Sequence, residues 1–171
     1  MELTIRPVRV DDASSIFELK RMSGVRENTL GIFGDTVDSI EHFIRNLTEN
    51  DHFLIAELTE NLNKKNVGVI ALRVSPNPKE RHCGKIVVFV HKNHQGKGIG
   101  KKLLGEIIDI ADNWLMLVRL ELDVFVDNEK AVDLYKSVGF EAEGIKKYAY
   151  IRHGRYDNVF LMARYNKNMV Q

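Results

Sequence analysis

Five consecutive apolar residues, Ile86-Val87-Val88-Phe89-Val90, lead through a short polar segment into Gln95-Gly96-Lys97-Gly98-Ile99-Gly100-Lys101-Lys102. An amphipathic pattern follows at once. A run that is apolar on both sides of the strand alternation predicts a central strand buried on both faces. In the next segment Ile99, Leu103, Leu104, Ile107, Ile108, Ala111, Trp114 and Leu115 share one side of a helix. Lys101, Lys102, Glu106, Asp109, Asp112 and Asn113 take the other side. A buried strand, a glycine loop and a helix in succession point to a mixed α/β architecture.

The flanking chain fits this frame. Leu3, Ile5 and Pro7 predict a short strand, and Asp11 or Asp12 caps a helix reaching about Met22. Gly24 to Gly34 reads as a loop, after which Asp35 or Thr36 caps a helix carrying Val37, Ile40, Phe43, Ile44 and Leu47. Phe53–Leu58 and Val67–Val74 predict antiparallel strands joined by a polar turn over Thr59–Asn66. Leu120–Val126 alternates as a strand, and a helix over Asn128–Val138 is stopped by Gly139. Late strands fit Phe140–Tyr150 and Tyr156–Ala163. With no repeat or linker, 171 residues predict one domain over 1–171.

The glycine segment sits where a helix begins. Helix N-termini present free N–H groups and the positive end of the dipole, and so favour anions. Lys97, Lys101 and Lys102 add cations there, which oppose the macrodipole by ~0.3–1 kcal/mol each unless an anion binds. A nucleoside-triphosphate loop would need Ser or Thr after its lysine, but Lys102 follows Lys101. A dinucleotide fingerprint fails in either register, with Ile99 or Leu103 near the third glycine. The spacing alone leaves the phosphate ligand open.

Bulk composition excludes several partners. Lys plus Arg is 25 and Asp plus Glu is 24, so net charge gives no reason to bind nucleic acid or an anionic membrane. One cysteine, Cys83, suits a reducing compartment. No signal-peptide pattern and no long apolar span are expected, so the expected location is cytoplasmic.

Two motifs then fall on the right elements. Gln95-x-x-Gly98-x-Gly100 resembles the Gln/Arg-x-x-Gly-x-Gly/Ala motif of the GNAT N-acetyltransferase superfamily. Asn128-x-x-Ala131-x-x-Leu134-Tyr135-x-x-x-Gly139-Phe140 resembles that family's second motif. Lys92 departs from the Pro often found there. The tail, with Glu143-Gly144-x-Lys146-Lys147-Tyr148-Ala149 and Gly154-Arg155-Tyr156-Asp157, is similar to bacterial members acting on amino acids or other small amines. The resemblance implies an α/β (α+β) GNAT fold: a mixed, mostly antiparallel twisted sheet of six to seven strands flanked by about four helices. It implies acetyl-CoA as cosubstrate, with backbone of Val88 and Val90 pairing with the pantetheine arm. Gln95 belongs to the same cofactor-binding motif. Amides of Gly96, Lys97, Gly98, Ile99, Gly100 and Lys101 would cradle the diphosphate, and Asn128 would contact the arm. Tyr135 would stand near the sulfur as general acid. A homodimer is implied by resemblance alone.

The acceptor side is less determined. Cys83–Val90 contains no carboxylate to serve as base. Glu27 and Asp157 are candidate bases or substrate contacts, and Asn28 lies where the family forms its acceptor wall. An α-amine, with a pKa of ~7.7–8, needs less help than a lysine amine at ~10.4. His82, Cys83, His91 and His94 match no usual zinc spacing, so no metal is expected. Open readings are a small-amine or amino-acid acetyltransferase, a protein N-terminal or lysine acetyltransferase, and a non-catalytic coenzyme A-binding module.

Overall fold

The computed structural model describes residues 2–29 and 35–169. Leu30 and Gly34 of the predicted loop lie outside them. The described elements are β1 (Glu2–Pro7), α1 (Ala13–Arg21), α2 (Val37–Arg45), β2 (Asp51–Glu60) and β3 (Asn63–Val74). Then follow β4 (Cys83–Val90), α3 (Ile99–Asp109), β5 (Arg119–Phe125), α4 (Glu129–Lys136), β6 (Glu141–Arg152) and β7 (Arg155–Tyr165). Their order is the one the sequence predicts.

The strands form one seven-stranded sheet in the order β1-β2-β3-β4-β5-β7-β6. Every neighbouring pair is antiparallel except β4 and β5. That parallel pair is short: Cys83, Gly84 and Lys85 face Arg119, Leu120 and Glu121, and pairing then stops. Both strands continue beyond it, so the sheet parts between them toward their C-terminal ends.

Helices cover the two faces unequally. Ile99, Leu103, Leu104 and Ile107 of α3 pack with Leu54, Ile70, Leu72, Ile86, Leu120 and Leu122. Val132 and Tyr135 of α4 join the same cluster. On the opposite face Ala13, Ile16 and Leu19 of α1 and Ile40 and Ile44 of α2 pack on Ile55 and Val69, with Phe89 beside them. The alternation of β2 and β3 sends successive residues to these two layers, as period-2 patterning requires. Thr36 caps α2: its Oγ1 accepts from Ser39 N–H (3.1 Å) while Ser39 Oγ accepts from Thr36 N–H (2.9 Å).

Four local expectations are corrected. The predicted Thr59–Asn66 turn is only Asn61-Leu62, both at positive φ (48° and 66°). The polar residues around it continue the ladder, because hairpin strands that outrun the core need no apolar side. The expected burial of β4 on both faces fails at Val87, which is 48% exposed, because α1 and α2 stop short of it. The third helix changes pitch after Asp109 into a π turn over Ile110–Trp114, with Leu115 N–H bonded to Ile110 C=O (3.0 Å). The extra residue in that turn rotates later positions off the apolar side, and Trp114 is 77% exposed. Finally, β6 and β7 run to His153-Gly154 and slip register between Lys146 and Tyr150. Tyr148 is thrown outward there at φ 54°.

A buried polar network ties β1 to the sheet. Arg6 donates to both carboxylate oxygens of Asp12 (2.9 and 2.8 Å) and to Glu57 Oε2 (2.9 Å). Asn66 Nδ2 also donates to Asp12 (2.8 Å). Burial alone would raise the pKa of Asp12, but bonds from Arg6, the Arg9 amide and Asn66 leave it below the ordinary value. A depressed carboxylate stabilises the fold above its ordinary pKa of ~3.9, and that contribution is lost as pH falls through the folded value. Asp12→Asn is expected to cost roughly 3–5 kcal/mol near pH 7, by leaving Arg6 underpaired, and to flatten the acid limb of a urea-unfolding series below about pH 4. Leu103, fully buried between α3 and the sheet, is expected to cost about 2–5 kcal/mol on replacement by Ala, read as a lower urea midpoint at unchanged m.

Candidate functional site

The parting of β4 and β5 leaves backbone without partners. His91 N–H bonds Val67 C=O (2.8 Å), so the odd-numbered residues of β4 turn their polar groups toward β3. By alternation Val88 and Val90 turn theirs toward the gap. Gln95 confirms the direction for Val90, because its Nε2 donates to Val90 C=O (3.0 Å). That bond folds the start of the glycine loop back onto the strand end, and leaves the Val90 amide facing the gap.

Beyond Gln95 the chain presents a row of free donors. The first helical bond of α3 is from Lys102 N–H to Gly98 C=O (3.0 Å). Among the described residues, the six amides of Gly96, Lys97, Gly98, Ile99, Gly100 and Lys101 have no hydrogen-bond partner in the protein. Gly98 stands at φ 80° as the N-cap, a conformation costly for any other residue. A side chain at Gly96 or Gly98 would meet nothing within 4 Å, so the loop borders open space. Lys97, Lys101 and Lys102 are exposed, and none has a carboxylate within ion-pair distance among the described residues. Burial, then Lys97 and Lys65, pushes the His94 imidazole below its ordinary pKa. The loop is therefore a cationic row of unpaired donors facing open space, an arrangement suited to an anion such as a diphosphate.

Helix α4 closes the same end. Gly100 approaches it so closely that an added Cβ would lie 3.0 Å from Leu134 Cδ2. Asn128 caps this helix, its Oδ1 accepting from Ala131 N–H (3.3 Å), which leaves its amide NH2 as a donor. Tyr135 is 7% exposed and packs on Phe140 (ring centroids 6.0 Å). Its hydroxyl has no hydrogen-bond partner among the described residues, and burial pushes its pKa up to about 12. Asn128→Ala is expected to lower stability by about 1 kcal/mol through loss of the cap, measured by thermal unfolding.

The remaining predicted residues lie elsewhere around the gap. Glu27 Oε2 accepts from Gly24 N–H (2.5 Å), and Asn28 Nδ2 donates to Gly24 C=O (3.2 Å). Both brace a turn that packs by Gly24 and Met22 on Lys92, just past β4. The Gly24 bond holds Glu27 below the usual carboxylate range, so it is a weak base. Asp157 pairs with Arg152 (2.6 Å) and Arg155 (3.1 Å) beyond the end of β5, and Arg152 holds its pKa down too. Neither is suited to take a proton. His82 and Cys83 sit at the opposite end of β4 from His91 and His94, ~25 Å along an extended strand. His91 is buried at 6%, with Nδ1 accepting from Asn93 N–H (3.2 Å), rather than lining the gap as an open side chain.

Sequence reasoning passed over Asp123. It lies on β5 two residues past the last β4 pair, level with Val87 and on the same face. Lys146 Nζ donates to both its oxygens (2.9 Å each) and Tyr150 Oη donates to Oδ2 (3.0 Å). The alternation Leu120-Glu121-Leu122-Asp123 marked it as opposite the apolar face. Nothing in the pattern said that this face stays bare of helices.

Among the described residues no helix is long and apolar enough to cross a membrane. The model of the Acetyltransferase (GNAT) family matches residues 24–140. An L-amino acid N-acetyltransferase of Escherichia coli K12 is 40% identical over 99 residues, 57% of this chain and 60% of that protein. The match thus spans less than two thirds of that relative. A crystal structure of a GNAT-family acetyltransferase from Streptococcus pneumoniae is 30% identical, with a TM-score of 0.81 over 96% of this chain and 99% of that one. Spermidine N-acetyltransferase from Vibrio cholerae, solved with CoA and spermine, shares the fold at 23% identity, with a TM-score of 0.85 over 99% and 98% of the two chains. With parted strands, an unpaired amide cradle and a family match across more than half its length, this chain belongs to the Acetyltransferase (GNAT) family.

Proposed function

We propose that this protein is an N-acetyltransferase that moves the acetyl group of acetyl-CoA to the primary amine of a small molecule, an amino acid, by direct attack in a ternary complex. The observation that carries this reading is the row of six unpartnered amides from Gly96 to Lys101 at the mouth of the parted strands. The donor's thioester supplies an acyl carbon activated toward amines. Gly96–Lys101 would hold its diphosphate, with Lys97 and Lys101 adding charge. Val88 and Val90 would bond its arm as an extra strand, and Asn128 would offer its free amide. Such an arm would satisfy the backbone groups that β5 leaves unpaired.

Tyr135 contributes a donor at a fixed place. With its pKa pushed up to about 12, the phenol keeps its proton throughout the neutral range. An ordinary thiol ionises near ~8.5, so a phenol at that value shares its proton with a departing sulfur rather than surrendering it. We therefore read Tyr135 as a hydrogen-bond donor that stabilises charge on sulfur. As the C–N bond forms and the C–S bond breaks, the proton lost by nitrogen balances the one gained by sulfur through solvent.

The amino-acid reading draws on the acceptor that the Escherichia coli relative's name gives. A screen for free thiol release with acetyl-CoA, across the L-amino acids, spermidine and N-terminal peptides, tests it. Turnover is expected with free amino acids. Faster turnover of peptides would favour a protein acceptor, and coenzyme A binding without turnover on any amine would make the chain a binding module. Tyr135→Phe is expected to lower kcat roughly 10²-fold, with the coenzyme A Kd from calorimetry unchanged. Unchanged turnover would remove Tyr135 from the chemistry.

A further inference from the structure

The half of the sheet formed by β5, β7 and β6 carries α4 on one face and no described helix on the other. On that bare face, beside the gap, stand Val87, Asp123, Phe125, Lys146 and Tyr150. Asp123 and Lys146 form an ion pair at 2.9 Å, and the two halves of the pair differ in exposure. The Asp123 side chain is 15% exposed and the Lys146 side chain 46%. Tyr150 fixes the carboxylate from one side by its hydroxyl (3.0 Å), and packs edge-on against Phe125 (6.1 Å). Asp123 Oδ1 accepts only from Lys146 and so retains a free lone pair.

We infer that Asp123 and Lys146, braced by Tyr150, recognise the acceptor as a zwitterion, with its ammonium on Asp123 and its carboxylate on Lys146. This rests on the acetyltransferase reading above and names the groups that select within it. An α-amino acid carries its two charges on adjacent positions of one carbon skeleton, at a spacing similar to that of the pair itself. Laid alongside, each charge of the ligand meets its opposite. A polyamine offers cations only, and Lys146 would repel it.

The neighbouring charges leave this role to Lys146. Arg152 is engaged by Asp127 and Asp157 (2.6 Å each). Arg119 is engaged by Glu121 and Glu143, whose carboxylates lie nearer the closed end of the parallel pair. Arg155, exposed on β7, is engaged by Asp157 (3.1 Å), whereas Lys85, exposed on β4 and level with Glu121, has no carboxylate within ion-pair distance among the described residues. Lys146 is half-exposed, so Lys146→Met opens no core, and the mostly buried Asp123 carboxylate keeps its hydrogen bond from Tyr150 in that variant.

The test compares L-leucine, L-leucinamide and spermidine as acceptors in wild type, Lys146→Met, Lys85→Met and Asp123→Asn, with calorimetric binding of L-leucine to the coenzyme A-loaded protein. Wild type is expected to favour leucine over leucinamide by at least tenfold in kcat/KM. Lys146→Met should abolish that preference through KM, and raise the leucine Kd about tenfold at unchanged coenzyme A affinity. Lys85→Met should leave both unchanged. Asp123→Asn should weaken all amines. Retention of the carboxylate preference in Lys146→Met, its loss in Lys85→Met, or a wild-type preference for leucinamide or spermidine would overturn the inference. Absence of wild-type thiol release with every amine would instead overturn the acetyltransferase reading itself.

Discussion

The three-residue parallel contact between β4 and β5 is the constraint on which the rest of this molecule turns. Six strand neighbours meet in this sheet, and only this pair runs parallel. A right-handed sheet twist accumulates along strands that touch at one end, so they diverge at the other. Divergence exposes amides and carbonyls that a closed sheet would pair. Burying such groups without partners costs about 1–3 kcal/mol each, so an open gap bordered by backbone is stable only where water or a ligand reaches it. The fold thus makes a binding slot from an omission.

Around that slot, each neighbouring element adds one chemical property. The glycine loop adds donors, and its lysines add charge without counter-ions among the described residues. Gln95 fixes the loop to the strand through Val90 C=O. Gly100 lets α4 approach α3, which brings Leu134 and therefore Tyr135 to the same end. The phenol is then desolvated by the core it completes, and that same desolvation keeps its proton in place. The face beside the gap, by contrast, is built from side chains that no described helix covers, where Asp123 and Lys146 remain partly accessible.

Legibility in the sequence followed physical rules of unequal strength. The order of elements was readable because Ile86–Val90, the Ile99–Ile108 stripe and the alternation from Leu120 each obey one strong period. The run of free donors at the start of α3 was readable because Gly96, Gly98 and three lysines gather there with no apolar partner to explain them. Trp114 was misplaced because one π turn shifts the helical phase, and residue types carry no mark of it. The Asn61-Leu62 turn was hidden because a leucine at positive φ is against preference. Asp123 went unread because its significance lies in which half of the sheet the helices leave bare. That is a property of chain topology, set by distant segments such as α1 and α2.

The slip in β6 carries a consequence for how molecules of this protein meet one another. An outermost strand of twelve residues would ordinarily offer a long straight rail of hydrogen-bonding groups to any stray β-segment. Here the left-handed kink at Tyr148, whose amide is tied back to Asn158 Oδ1 at 2.9 Å, breaks that rail into two short lengths. Neither length can template continuous growth, so the rim of the sheet resists fibrillar stacking while keeping its aromatic side chains in solvent.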